Sequence, residues 1–159
     1  MSIRRLQSEL KQIIKDPNYH YSISPDENNF YKWDFIIIGP EETLFEGGIF
    51  EGKILFKRDY PNIAPEVIIY SEIFHPNIYK NGKVCMSILH NGLDAYGYEN
   101  DSIRWNPTQG VNSIMLSLIS ILSDPNTESP ANIDASNMFS KDIDKYKERV
   151  LKIVQNSQK

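Results

Sequence analysis

The residues able to do chemistry gather in one stretch, 75–89, reading His-Pro-Asn-Ile-Tyr-Lys-Asn-Gly-Lys-Val-Cys-Met-Ser-Ile-Leu, with His90 directly after it. Cys85 is the single cysteine of the chain. Pro76 removes a backbone donor and Asn81-Gly82 is a turn signal, so the stretch is predicted to be a loop. A lone cysteine there, with a histidine and an asparagine just upstream, is a candidate nucleophile. Its thiolate is intrinsically nucleophilic, and a thioester would keep an acyl carbonyl activated for a second nucleophile. The Asn77 amide is a fixed donor that never titrates, suited to the oxyanion of a tetrahedral transition state. His75 and His90 are the candidate general bases. The competing reading is a buried cysteine acting as a small hydrophobe. Spacing leaves both open.

The rest of the chain must position that loop. Ile3, Leu6, Leu10, Ile13 and Ile14 recur at helical spacing over 2–15, and Asp16-Pro17 is the stop. Arg4, Arg5, Lys11 and Lys15 mark the opposite, solvated face. Four strand-like runs follow. Tyr19, Tyr21 and Ile23 alternate with His20, Ser22 and Ser24; then come 30–38, 49–56 and 66–70. Short turns between them predict an antiparallel meander. Thr108 is placed to cap a helix whose core face is Val111, Ile114, Met115, Leu118 and Leu122, ended by Asp124-Pro125-Asn126. A loop through Asp134-Ala135-Ser136 leads to a last helix, about 140–156, packing through Ile143, Tyr146, Val150 and Ile153. The whole reads as α+β, a single domain over 1–159.

Read together, the motifs resemble the ubiquitin-conjugating enzyme family. The tripeptide His75-Pro76-Asn77 precedes Cys85 at the spacing of that family's thioester-forming cysteine. Tyr60-Pro61 and Pro65 stand upstream, and Trp105 with Pro107 downstream, as they do there. The resemblance implies ubiquitin carried on Cys85 and passed to lysine amines, with the activating enzyme and a RING-type ligase as partners and no cofactor. It assigns Asn77 either to the oxyanion or to bracing the loop, and makes His75 and Pro76 structural parts of that loop. It makes Arg4 and Arg5 partner-contact candidates, because the first helix is a docking element. The loop after the third strand also contacts ligases, through a large apolar residue where this chain has Asn62. Pro107 joins the same set. On the acceptor side the family commonly has acids where this chain has Ser87 and Ser129.

Residues 91–104 form an insertion relative to compact family members, carrying Asp94, Glu99 and Asp101 against one Arg104, with Tyr96 and Tyr98 interleaved. This resembles the acidic-loop subfamily that serves endoplasmic-reticulum-associated degradation, implying chains of the proteasome-targeting type. A structureless loop of this length is often functional. Its three acids, with His90, are the candidates for receiving a lysine ammonium.

Composition narrows the classes. With 24% charged residues and a net charge of −4, the chain has no basic excess for a nucleic-acid binder. No apolar run reaches the ~20 residues that cross a bilayer. The basic Met1-Ser2-Ile3-Arg4-Arg5 start leads into an amphipathic pattern, not a signal-peptide core. A single cysteine fits a reducing compartment, cytoplasmic or nuclear, with recruitment to the endoplasmic reticulum left to partners. No metal-ligand spacing is present, and His20 reads as an exposed residue. Three rivals remain: a carrier of another ubiquitin-like modifier, a non-catalytic ubiquitin-binding variant, which would lack the cysteine, and a cysteine hydrolase, which needs a base–nucleophile pair.

Overall fold

The structure is a computed structural model that describes residues 2–92 and 103–159. Its elements are α1 (Ser2–Lys15), β1 (Tyr21–Pro25), β2 (Lys32–Ile38), β3 (Ile49–Leu55), β4 (Glu66–Ile69), a 3-10 turn (Ser87–Leu89), α2 (Val111–Ser123), α3 (Ile133–Lys141) and α4 (Ile143–Ser157). The strands pair antiparallel in the order β1-β2-β3-β4, the predicted meander. Alternation fixes the register, because a slip of one residue would turn every apolar side chain to the wrong face. Trp33, Phe35 and Ile37 of β2, Phe50 and Ile54 of β3, and Val67 and Ile69 of β4 are all buried. They form one core with Leu6 of α1, Val111, Ile114, Met115 and Leu118 of α2, and Tyr146 and Val150 of α4.

Four local expectations are corrected. Strand β1 starts at Tyr21; Tyr19 is 96% exposed and lies with His20 in the preceding turn. Ile14 is 70% exposed, so the core stripe of α1 runs through Leu6, Leu10 and Ile13. Thr108 does not cap α2. Its hydroxyl bonds the Asn106 side chain, while the N-cap is Gly110, whose N–H donates to Ser113 Oγ (2.8 Å). The carboxylate of Glu9, reaching over from α1, accepts from Val111 N (2.7 Å). A side chain at position 110 would collide with it, since a Cβ there would lie 2.3 Å from Glu9 Oε1. Finally, the stretch read as a loop before the last helix is α3. Asn132 caps it by accepting from Ala135 N (3.0 Å), and Asp142 separates it from α4 by capping that helix in turn.

The fold delivers Cys85 by running the loop along the edge of β4. Val84 N donates to Val67 O (2.9 Å), and Ile69 N donates to Gly82 O (2.8 Å). The Asn81-Gly82 turn needs glycine twice over: φ is +93°, and a Cβ would sit 2.1 Å from Ile69 O. Cys85 follows one residue after this anchored rung.

Candidate active site

His75 and Asn77 are buried polar residues, and their bonds explain why burial is tolerated. Asn77 N donates to His75 Nδ1 (2.9 Å), which fixes the tautomer, so Nε2 is the atom that donates to Ile121 O (2.6 Å). Both ring nitrogens are therefore occupied, and His75 is a structural post, not a base for the thiol. Pro76 O accepts from Ala131 N (2.8 Å) and Asn132 N (3.0 Å), tying the loop to the start of α3.

Asn77 is the keystone of the loop. Its carbonyl accepts from Cys85 N (2.8 Å). Its side chain bonds both backbone groups of Asn126: Nδ2 donates to Asn126 O (2.7 Å), and Oδ1 accepts from Asn126 N (2.9 Å). Asn126 Oδ1 in turn accepts from Glu128 N (3.0 Å). One amide thus holds the cysteine segment and the turn after α2 in fixed relation.

Burial determines the protonation of His75. Desolvation holds its pKa down at about 4, with the Ile121 carbonyl opposing weakly. The sign follows from linkage. The folded state keeps the ring neutral, so this group's contribution is complete above the unfolded value near 6.5 and is lost as pH falls toward 4. The loss should amount to about 3 kcal/mol. Denaturant unfolding at pH 7, 5 and 4 checks this against His75→Gln, whose amide can accept and donate at the same places. The wild type should lose that much more stability than the variant over the range; parallel curves would place the acid sensitivity elsewhere.

Cys85 is half-buried. It opens on a groove of ≈ 1070 Å³ shared with Asn77, Ser87, His90, Glu128 and Ser129. The Sγ atom lies 3.8 Å from His90 Nε2. Between the two histidines singled out by sequence, then, the structure brings His90 to the thiol. Ser87 and Ser129 both line the groove. Asp94, Glu99 and Asp101 lie outside the described residues. Among the described residues the carboxylate that lines the groove is Glu128, which sequence reasoning passed over for its neighbour Ser129. A one-residue offset within a turn cannot be read from spacing. Among the described residues, no group of three or more His, Cys, Asp or Glu side chains could hold a metal, and no helix is long and apolar enough to cross a membrane.

Among the partner-contact candidates, the Asn62 loop and the Pro107 segment lie side by side. Arg4, Asn62 and Pro107 are exposed. Trp105 Nε1 donates to Pro61 O (2.7 Å), placing the loop that carries Asn62 beside the segment that carries Pro107. Arg5 points inward: Nε pairs with Glu9 Oε2 (2.9 Å) and Nη2 donates to Gln109 O (2.7 Å). Tyr60 OH donates to the same Glu9 oxygen (2.5 Å). Burial, then this carboxylate, raises the Tyr60 pKa far above its ordinary value. Glu9 therefore joins α1, the Tyr60 loop and the start of α2. No motif announced it, because a glutamate on an amphipathic helix is ordinary.

Comparison with known proteins adds the family. The sequence model described as ubiquitin-conjugating enzyme matches residues 5–154. The chain is 45% identical to ubiquitin-conjugating enzyme E2 15 of Schizosaccharomyces pombe over 154 residues, covering 96% of this chain and 92% of that one. It is 47% identical to ubiquitin-conjugating enzyme E2 13 of Arabidopsis thaliana, covering 96% and 93%. Against ubiquitin-conjugating enzyme E2 G2 of Homo sapiens the identity is 44%, covering 98% and 96%.

Proposed function

The chain belongs to the ubiquitin-conjugating enzyme family, and from that membership we propose that it receives ubiquitin from the activating enzyme as a thioester on Cys85 and transfers it to lysine amines with a RING-type ligase. The observation that carries the assignment of the site is the setting of the lone thiol. Cys85 is half-exposed at a groove, its backbone held by Asn77, and not packed as a small hydrophobe. The transferase needs no resident cofactor; ATP would be consumed by the activating enzyme. A charging assay with activating enzyme, ATP and separate modifiers, run on a non-reducing gel, tests the reading. Ubiquitin should form a reductant-sensitive adduct; charging by a different modifier in its place would favour the rival carrier.

Asn77 would serve transfer mainly as a brace, since its amide is committed to Asn126. An amide nitrogen carries two hydrogens, so a contribution to the oxyanion is compatible with that bracing. His90, whose ring lies beside the thiol, would take a proton from an incoming lysine or orient it. The Asn62 and Pro107 corner, with Arg4, is the proposed docking surface for partners.

On the acceptor side, Glu128 and the inserted Asp94, Glu99 and Asp101 would attract the lysine ammonium. Changing Asp94, Glu99 and Asp101 to Asn, Gln and Asn should leave charging near wild type and reduce chain formation. The deficit should narrow as salt screens the wild-type advantage. Glu128→Gln should slow discharge to free lysine severalfold, yet leave discharge to neutral hydroxylamine unchanged, because only lysine carries the charge. Equal losses in charging and transfer would instead indicate damaged docking with the activating enzyme.

Similarity to the human E2 G2 protein and the acidic insertion support placement in the acidic-loop subfamily. On that reading the enzyme builds proteasome-targeting chains for endoplasmic-reticulum-associated degradation. It would act in the cytoplasm, recruited to the membrane face by partners.

A further inference from the structure

The segment leaving the active site is gripped through its backbone carbonyls. Three successive carbonyls, of His90, Asn91 and Gly92, are all taken by two successive residues on the return side. Trp105 N donates to His90 O (2.9 Å). Arg104 Nη2 donates to Asn91 O (2.9 Å), and its Nε donates to Gly92 O (3.0 Å). A planar guanidinium holds two neighbouring carbonyls in a rigid fork, a geometry that the freely rotating donors of an ammonium do not fix. On the other side, Asn91 Oδ1 accepts from Ala64 N (2.7 Å), tying the same stem to the loop after β3. Trp105 repeats that link through its bond to Pro61 O and its ring contact with Tyr60, 5.7 Å between centroids.

These bonds do little for the core. Asn91 is exposed and Arg104 only half-buried. What they surround is His90, whose own N–H donates to Ser87 O (2.9 Å) and whose imidazole lies 3.8 Å from Cys85 Sγ. With its amide, its carbonyl and the next two carbonyls all held, its backbone has little freedom to carry the ring away from the thiol.

We propose that Arg104, with Asn91, is a positioning residue for transfer: it clamps the stem of the inserted segment so that His90 stays against Cys85. The proposal rests on the reading that His90 acts at the thioester. A misplacement of an ångström or so in such a group is enough to slow transfer substantially.

The test uses the full-length enzyme charged with ubiquitin and single-turnover discharge to free lysine. Arg104→Gln should slow discharge about 10-fold. Arg104→Lys, which keeps the charge but loses the planar fork, should fall between it and wild type. The double variant with His90→Gln should be no slower than His90→Gln alone, because both changes remove one function. A spectroscopic readout separates positioning from general damage. Alkylating Cys85 should shift the His90 imidazole NMR resonances in wild type, and this response should shrink in Arg104→Gln. Asn91→Ala, at an exposed position, repeats the test without removing a charge, should Arg104→Gln fold poorly.

Wild-type discharge together with an intact imidazole response in Arg104→Gln would overturn the clamp. Multiplying losses in the double variant would do so too, by placing the action of Arg104 elsewhere. Wild-type discharge in His90→Gln would overturn the underlying reading of His90. The imidazole response in Arg104→Gln would still report separately on the clamp.

Discussion

Cys85→Ala should form no ubiquitin thioester, and Cys85→Ser should form an oxyester that survives reductant. Both outcomes are expected from one chemical fact: the chain has no second thiol. The loss should be complete, not partial, because there is no other sulfur to which the activated acyl group can pass. The serine oxygen keeps the geometry of the site but yields an ester that is less reactive toward amines and inert to reductant. Neither change should disturb folding, since Cys85 is half-buried at the groove and its structural bond is made by its backbone N–H to Asn77 O. Non-reducing and reducing gels of the charging reaction read both variants. A reductant-sensitive adduct on Cys85→Ala would end the assignment.

Asn77→Ala should carry the next largest effect. The alanine removes both bonds to Asn126, leaving its N–H and carbonyl without their partners in a part-buried turn. An unsatisfied buried group costs about 1–3 kcal/mol, so the variant should unfold at measurably lower temperature. The turn it releases carries Glu128, whose amide depends on Asn126, and lines the same groove as Cys85. Discharge to lysine should fall about 10²-fold, the size of effect seen when a fixed donor is lost from such a site. Charging should change far less, since the acyl group arrives already activated. Asn77→Asp sharpens the interpretation. Its carboxylate can still accept from Asn126 N but cannot donate to Asn126 O, and it sets a negative charge against that carbonyl. Thermal unfolding and single-turnover discharge, measured together, distinguish the roles. A rate loss without any loss of stability would favour direct oxyanion stabilisation. An unchanged rate in Asn77→Ala would exclude both that and any essential bracing.

The sequence by itself determined what depends on local period and on special residues. Alternation located β2, apolar and β-branched runs between turn signals located β3 and β4, helical spacing with Asp16-Pro17 and Asp124-Pro125 bounded α1 and α2, and Asn81-Gly82 marked the turn that sets Cys85 on the edge of β4. The ordered set of Tyr60-Pro61, His75-Pro76-Asn77, Cys85 and Trp105 identified the family for the same reason: it is a string, and a string can be read. Helix α3 was missed because its apolar signal is weak and its start depends on the Asn132 cap.

Only the tertiary structure decided which groups meet. Asn77 could have faced the thiol or the turn; its partner is Asn126, 49 residues away. Two histidines lay near Cys85 in sequence. The deeply buried one, His75, spends both nitrogens on the backbone, while the three-carbonyl stem keeps His90 at the sulfur. The groove takes Glu128 beside Ser129, the position to which the family resemblance pointed, and the α2 N-terminus is served from α1 by Glu9 although Thr108 stood nearer in sequence. For Asn77, His75 and Glu9 the deciding bond joins segments far apart along the chain. Its direction is set by packing around a shared core, and packing leaves no periodic trace in the sequence.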